Sequence, residues 1–466
     1  MRLRVPVVWL CLICLLIGPA PVRAALFKEF GLADEMKVGR EFEALVKSSM
    51  PLVEDPEVKL YVQSVVDRIV ATLPPQPYKF QTNVMLHSSL NAFAVPGGFV
   101  FVHTGLLQNL KHESELAGVL SHEIAHVTQR HIAHRIERGS VISLASIAGM
   151  LLGAFAGGGN VGKAAMAASA AAGPAAMLSY NRADEDDADQ FGLRYLVDAG
   201  YNPKGLSGAF SKIQELSYGR GADFPEYLST HPDLTARLAT MASRVQSMPA
   251  EVRNRPEDDT RFRRVQTLIW AQYGDPQHAA QVFAARDSND PMTHMGLGVL
   301  AARQNRVKDA EASFQRALEL APQDSLVLRE AGIFHYNMGD IRVARKQLEQ
   351  CLAVNPEDYM GLFYYARLLD DEGDSRGAQA AYRKVLRYVP EDAEVHTYYG
   401  RSLGKSRQEF SGYLHLAYAA VYSNDARKAK NWSDKAKSGA RTPEDRAELE
   451  KFNELYKTRQ KLWSQR

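Results

Sequence analysis

The hydrophobic and polar positions of this 466-residue chain change pattern several times, and the changes divide it into segments. Residues 1–24 begin with basic residues, continue with an apolar run from Val5 to Ile17 and end in small residues at Ala24. This order is typical of a secretory signal peptide, and the apolar run is shorter than the roughly 20 residues that span a bilayer. We therefore expect export, with cleavage after Ala24, rather than a membrane anchor.

Residues 25–246 combine helical and strand patterns. Apolar residues at helical spacing predict one helix over 33–47 and a second that begins at Asp55 and Pro56. Apolar and polar residues then alternate over 80–86, which predicts a half-buried strand. Two short apolar runs joined by Pro-Gly-Gly at 96–98 predict a hairpin. This part of the chain is expected to be a domain of helices with a small sheet.

Residues 141–178 within this domain are almost uncharged, apolar and interrupted by three glycines at 157–159. Two interpretations compete: a membrane hairpin, or a mobile lid that makes a peripheral membrane contact. The second is preferred, because the runs are short and rich in alanine, which contributes less apolar area than leucine. Flanking Arg130 and Arg135 could hold such a segment near anionic headgroups.

From residue 263 to 440 the pattern repeats every 34 residues. Small, bulky and proline positions recur together, as in Ala310, Ala344 and Ala378; Phe314, Leu348 and Tyr382; and Pro322, Pro356 and Pro390. This period and spacing are those of tetratricopeptide repeats, which pair helices and stack into a solenoid. We expect four clear units and a degenerate fifth, preceded by a linker at 247–262 and followed by a helical tail at 441–466.

The chemistry is expected at His122-Glu123-Ile124-Ala125-His126, an H-E-x-x-H sequence on an apolar helix. His122 and His126 lie one turn apart, so both imidazoles can bind one zinc ion per chain. Glu123 lies beside the metal and can take a proton from a zinc-bound water, whose pKa zinc lowers to roughly 7. A catalytic zinc needs a third protein ligand, and the best candidate in the acidic segment 182–189 is Glu185.

These residues resemble the HtpX-type and CAAX-prenyl-protease-type zinc metallopeptidases. In that family H-E-x-x-H is followed much later by E-x-x-A-D, which here is Glu185-Asp186-Asp187-Ala188-Asp189. The resemblance implies that Glu185 is the third ligand and that Asp189 orients a ligand histidine by a hydrogen bond. The alternative is that the acidic residues form a solvated helix face.

The resemblance also assigns residues around the cleft. It implies that Asn91, Ala92, Phe93 and Ala94 form a strand edge that pairs with substrate backbone, although a purely structural hairpin is the alternative. By the same resemblance, a T-H-P-x-x-x-x-R pattern makes His231 and Arg237 the groups that stabilise the oxyanion.

His231 has two further interpretations. It could fill the open zinc position and hold the enzyme latent until substrate displaces it, or it could belong to a structural His-Pro turn. His131 and His134 lack the ligand spacing and are expected to play no part.

Composition limits the function classes. Without residues 1–24, 53 basic residues face 54 acidic ones, a net charge of −1 that argues against nucleic-acid binding. Cys351 is then the only cysteine, which excludes an intramolecular disulfide despite export. A soluble periplasmic protein fits these features best.

The sequence thus predicts a mainly α chain: a zincin-like metallopeptidase domain at 25–246, followed by a tetratricopeptide α-solenoid. The combination is similar to periplasmic peptidases that assist or degrade stalled or unfolded outer-membrane proteins, with repeats that dock on the β-barrel assembly machinery. The rival hypothesis is a non-proteolytic scaffold or chaperone in which the zinc site is structural. Removing a structural zinc would unfold the domain, whereas removing a catalytic zinc would stop cleavage first.

Overall fold

The computed structural model describes residues 30–138, 151, 180–219, 227 and 230–463. The predicted signal peptide lies outside the described residues, and so does all of 141–178 except Leu151. In the described part of the chain, no helix is both long enough and apolar enough to cross a membrane.

The N-terminal domain is built from eight helices and three strands in its described part. Its helices are α1 (Leu32–Ser49), α2 (Pro56–Val70), α3 (Thr104–Asn109), α4 (Glu113–Thr128), α5 (His131–Arg138), α6 (Arg182–Asp198), α7 (Lys204–Gly219) and α8 (Leu234–Gln246). The two helices predicted near the start correspond to α1 and α2. Asp55 begins α2 by accepting hydrogen bonds from the backbone N–H groups of Glu57 and Val58.

The strands are β1 (Gln81–Met85), β2 (Ala92–Val95) and β3 (Phe99–His103), in the order β1-β3-β2. β3 pairs in parallel with β1 and in antiparallel with β2. Gly97 and Gly98 make the tight turn of the β2–β3 hairpin at φ values of 88° and 85°, a conformation that side chains disfavour. The predicted strand and hairpin are both present, and β2 lies at one edge of the sheet.

Helix α4 lies at the centre of this domain, between β2 and the helices α6 and α7. Leu116, Val119, Leu120 and Ile124 are completely buried, as the apolar stripe predicts. Gly192 allows α6 to approach closely, since a Cβ at this position would lie 2.9 Å from the Cα of His122. Glu185 and Asp189, the buried acids of α6, therefore lie against the histidines of α4, whereas Asp186 and Asp187 are exposed.

The C-terminal domain is a row of antiparallel helix pairs. After the short α9 (Ala250–Arg253), its helices are α10 (Thr260–Tyr273), α11 (Pro276–Ala284), α12 (Pro291–Arg303), α13 (Val307–Leu320), α14 (Ser325–Met338), α15 (Ile341–Val354), α16 (Tyr359–Asp371), α17 (Ser375–Tyr388), α18 (Ala393–Lys405), α19 (Glu409–Tyr422), α20 (Ala426–Gly439) and α21 (Pro443–Trp463). The expected solenoid is confirmed. Its small residues permit close pairing: a Cβ at Gly332 would lie 2.9 Å from Leu348, the bulky residue of the same repeat.

The segment 247–262, predicted as a linker, connects the domains but is fastened to the N-terminal one. Asp259 accepts a hydrogen bond from the backbone N–H of Glu113 and contacts His112, while Glu257 accepts one from the Ser114 hydroxyl. The charged residues of this segment bind the N-terminus of α4, so the segment is not a free linker. The solenoid therefore begins directly against the helix that carries H-E-x-x-H.

A buried ion cluster joins the domains farther along the solenoid. Arg329 of α14 is completely buried and donates to Asp55 at 2.6 Å and to Glu330 at 2.9 Å. Its third partner, Asp358, lies 3.5 Å away and begins α16. We call Arg329, Asp55, Glu330 and Asp358 the junction cluster.

Candidate metal centre

Four side chains from three parts of the fold converge in the interior. His122 and His126 come from α4, Glu185 comes from α6, and His231 precedes α8. One donor atom from each lies within 4.8 Å of the others, and all four side chains are buried. The Nε2 atoms of His122 and His126 are 3.0 Å apart, and Glu185 Oε1 lies 3.4 Å from His126 Nε2. His231 Nδ1 lies 3.0 Å from Glu185 Oε1 and 3.3 Å from His122 Nε2.

This donor set fits zinc. At 3.0 Å the facing Nε2 atoms of His122 and His126 can share either one hydrogen or a metal ion, and the convergence of Glu185 and His231 on the same point favours a shared cation. Burial lowers the pKa values of His122 and His126, which keeps both rings in the neutral form that metal ligands need. Three histidines and a carboxylate are ligands that zinc accepts in tetrahedral geometry.

Glu185 and Asp189 are held in the ionised form. Burial alone would raise the pKa of Glu185, but the neighbouring His231, His126 and Arg237 together lower it well below its ordinary value. Asp189 Oδ1 lies 3.1 Å from His122 Nδ1, the nitrogen that faces away from the cluster. Arg237 donates to both oxygens of Asp189, at 2.8 and 2.7 Å, and also contacts Glu185.

Glu123 is completely buried beside the donor cluster. Among the described residues, no side chain donates a hydrogen bond to either carboxylate oxygen, and His231 Nε2 lies 3.6 Å from Oε1. Burial raises the pKa of Glu123 to about 7, which is the range in which a general base works at neutral pH. A buried carboxyl without a partner is costly to folding and calls for a functional reason.

Two aromatic residues of the site were not recognised from the sequence. The ring of Tyr180 stacks on His126 with centroids 3.6 Å apart, and Tyr227 stacks on His231 at 4.3 Å. Neither tyrosine belongs to a spacing that marks a metal site, so only the folded arrangement reveals them. They cover two of the imidazoles and exclude water from the cluster.

His131 was also missed, since its spacing from H-E-x-x-H is not that of a ligand. Its Nδ1 lies 2.8 Å from Nδ1 of His126, while His134 makes no described contact with the cluster. His131 thus contacts a candidate ligand, although it was expected to play no part.

The residues expected to bind substrate lie next to this centre. Ala92, Phe93 and Ala94 belong to the edge strand β2, which packs against α4, and Asn91 precedes it. All four are at most 2% exposed. Pairing with a substrate backbone would therefore require this edge to become accessible.

Comparison with known proteins finds a matching family for each of the two domains. Residues 54–245 match the peptidase family M48, and residues 271–325, 330–375 and 365–403 match the tetratricopeptide repeat. These matches bear out the resemblance inferred for the metallopeptidase domain and for the repeats.

Among curated proteins, the chain is similar to a "Putative beta-barrel assembly-enhancing protease" of Vibrio cholerae, with 33% identity over 46% of this chain and 45% of the relative. The "Beta-barrel assembly-enhancing protease" of Escherichia coli is 31% identical over 49% of this chain and 47% of its own length. The "Mitochondrial metalloendopeptidase OMA1" of Schizosaccharomyces pombe is 28% identical over 38% of this chain and 50% of its length. The similarity thus spans about half the length of these relatives.

Proposed function

Because this chain carries a peptidase family M48 domain followed by tetratricopeptide repeats, we propose that it is a zinc-dependent endopeptidase of the periplasm that acts on outer-membrane β-barrel proteins. The names of the bacterial relatives support this substrate class, since they describe proteases that enhance β-barrel assembly. Stalled barrel strands expose unpaired backbone groups, which an edge strand such as β2 could capture.

His122, His126 and Glu185 would hold the zinc ion, and Asp189 orients His122 from outside the cluster. Bound zinc supplies Lewis acidity, which polarises a carbonyl and lowers the pKa of water. Glu123 takes a proton from the attacking water and returns it to the leaving amine, for which a pKa near neutrality is suited. The observation that carries this proposal is the buried carboxylate of Glu123, to which no side chain in the described part of the chain donates a hydrogen bond.

The convergence of all four donors supports a latent state. His231 joins the other three donors, so these four side chains would hold a zinc ion without needing a water ligand. We propose that His231 leaves this set when substrate binds. His231, and Arg237 behind Glu185, would then be available to stabilise the oxyanion.

Replacing His231 separates these roles. If His231 holds the enzyme latent, the His231→Ala variant should cleave an unfolded protein faster than wild type. If His231 is needed in the reaction, the same variant should lose cleavage while it still binds zinc.

A structural zinc site in a non-proteolytic scaffold is the second candidate, and the closed set of four donors favours it. Glu123 argues against it, because a structural site has no use for a buried carboxyl without a hydrogen-bond partner. A chelator distinguishes the two: loss of cleavage before unfolding indicates a catalytic zinc, and unfolding on removal indicates a structural one.

The deciding experiment measures proteolysis of an unfolded protein together with bound zinc. Glu123→Gln should abolish cleavage and retain zinc, since the amide cannot accept the proton. Glu113→Gln is the matched control, because Glu113 starts the same helix and accepts a hydrogen bond from Tyr61 away from the cluster. Cleavage by Glu123→Gln at the wild-type rate would contradict the mechanism.

We propose that the repeats dock a partner polypeptide such as the β-barrel assembly machinery. Stacked repeats present an extended concave surface suited to such binding. Peripheral membrane contact by 141–178 stays a prediction.

A further inference from the structure

We infer that His131 positions the metal ligand His126 by accepting a hydrogen bond from it. This inference rests on the proposed metal site, and it gives a role to a residue that touches no metal-facing atom. His131 is therefore a positioning residue and not a ligand.

The contact is direct and shielded from water. The Nδ1 atoms of His126 and His131 are 2.8 Å apart, and the two side chains belong to residues that are only 1% and 6% exposed. The rings meet edge to face, with centroids 5.0 Å apart and an interplanar angle of 74°. At this distance one nitrogen must donate and the other must accept.

The metal-facing side of His126 decides which nitrogen donates. Its Nε2 points at His122 and Glu185, so this atom must offer a lone pair to a metal ion. The hydrogen of the neutral ring then resides on Nδ1, which donates to Nδ1 of His131. His131 accordingly carries its own hydrogen on Nε2.

The backbone between the two helices creates this contact. Helix α4 ends at Thr128, and Arg130 adopts the left-handed conformation with φ of 55°, which turns the chain sharply into α5. The Arg130 side chain is tied down by hydrogen bonds of 2.8 Å to Glu35 and to the backbone oxygen of Phe30. This turn places His131, the first residue of α5, beside His126.

The two ligand histidines of α4 are thus oriented by different groups. His122 faces the carboxylate of Asp189, whereas His126 faces an imidazole. A carboxylate partner makes a ligand histidine more basic, while a neutral acceptor fixes the ring without adding negative charge. In the described part of the site, the buried acids Glu123, Glu185 and Asp189 face one buried arginine, Arg237, so a neutral acceptor avoids a fourth buried acid.

The test is the zinc affinity of the purified full chain, measured by competition with a chelator, for three variants. His131→Phe keeps a ring but removes the acceptor, and we expect it to weaken zinc binding roughly 10- to 100-fold, the usual cost of losing such a partner. His131→Asn places an amide oxygen near the position of Nδ1 and should recover most of the affinity. His134→Phe, on the same helix, should bind zinc like wild type.

Each outcome bears on the inference. Zinc binding by His131→Phe as tight as wild type would overturn it, and so would an equal loss in the Phe and Asn variants, which would indicate a packing role. Thermal unfolding of the zinc-free variants shows whether the fold itself has changed. Failure of the wild-type chain to bind zinc would instead overturn the proposed function on which the inference rests.

Discussion

Two buried clusters of charge in this molecule have the same formal composition and different chemistry. Each contains one arginine and three acids: Arg237 with Glu123, Glu185 and Asp189 at the metal centre, and Arg329 with Asp55, Glu330 and Asp358 at the junction cluster. The formal charge of these four groups is −2 in both places. The two clusters differ in how this excess negative charge is neutralised.

At the junction cluster, protons can remove the excess charge. Burial raises the pKa values of Asp55 and Glu330, against the attraction of a single arginine. The acids also cap helices, since Asp55 accepts backbone N–H groups at the start of α2 and Asp358 accepts that of Gly361 in α16. These contacts are those of a structural joint.

At the metal centre, the surroundings keep two of the acids ionised. Burial again works against the charge of Glu185 and Asp189, but hydrogen bonds and charges from Arg237 and the histidines lower both pKa values. The formal charge of −2, which counts Glu123 as well, would be balanced by a divalent cation. The comparison teaches that a buried acid kept ionised beside converging imidazoles indicates a metal, whereas an acid with a raised pKa beside a capped helix indicates architecture.

Breaking the junction cluster should have the largest effect on stability. Arg329→Met leaves three acids in the interior without their cation, and such unpaired burial typically costs about 3–5 kcal/mol. We expect a loss of that size in the free energy of unfolding, measured by denaturant titration of the full chain.

Arg264→Met is the matched control at the same interface. Arg264 pairs with Glu57 and Asp324, but it is partly exposed, so its loss should cost about 1 kcal/mol or less. If both variants lost the same free energy of unfolding, burial would not explain the contribution of Arg329 to stability.

Adding zinc should have the next largest effect, and only at the metal centre. At a free zinc concentration about 100 times the dissociation constant, binding to the folded form alone adds about 2.7 kcal/mol to the free energy of unfolding. Thermal unfolding with and without zinc measures this gain. His122→Ala should lose it, while Arg264→Met should retain it; an undiminished gain in His122→Ala would place the zinc elsewhere.

The part of the metal centre that lies on a single helix could be predicted from the sequence, because helical periodicity determines which residues share a face. His122 and His126 share a helix face because of their spacing, and the apolar stripe that includes Leu116 and Ile124 indicates burial. Glu185 and His231 lie far away in the chain, so their approach was implied by resemblance, and the structure brings both to the histidines. The 34-residue period similarly predicts the solenoid, because each repeat packs on its neighbours.

Contacts that depend on how separate elements dock could not be predicted in this way. His131 reaches His126 through the left-handed turn at Arg130, and Tyr180 and Tyr227 contact the imidazoles from positions that follow no recognisable spacing. Arg329 looks like an ordinary charged residue of a repeat helix, and only the docking of the two domains buries it against Asp55.

The smallest effect is expected at Glu330 of the junction cluster, where removing the charge should change the free energy of unfolding in a direction that depends on whether burial or attraction to Arg329 dominates. The pKa of Glu330 is raised in the folded form, so its charge opposes folding as pH rises above the ordinary carboxyl pKa of about 4.3, and the penalty is absent below that value. Glu330→Gln keeps an oxygen that can accept from Arg329 Nε and removes the charge. We therefore expect a gain at pH 7 on the order of 1 kcal/mol, the usual size of a single-substitution effect, and a smaller gain at about pH 4.5.

Chemical denaturation at the two pH values measures this difference, with Glu57→Gln as the control. Glu57 lies at the same interface but is partly exposed and pairs with Arg264, so its replacement should produce no gain. If Glu330→Gln instead loses stability at pH 7, attraction to Arg329 outweighs burial at this carboxyl. The junction cluster would then hold its acids ionised as the metal centre does, and the pKa contrast between the two clusters would no longer distinguish architecture from function.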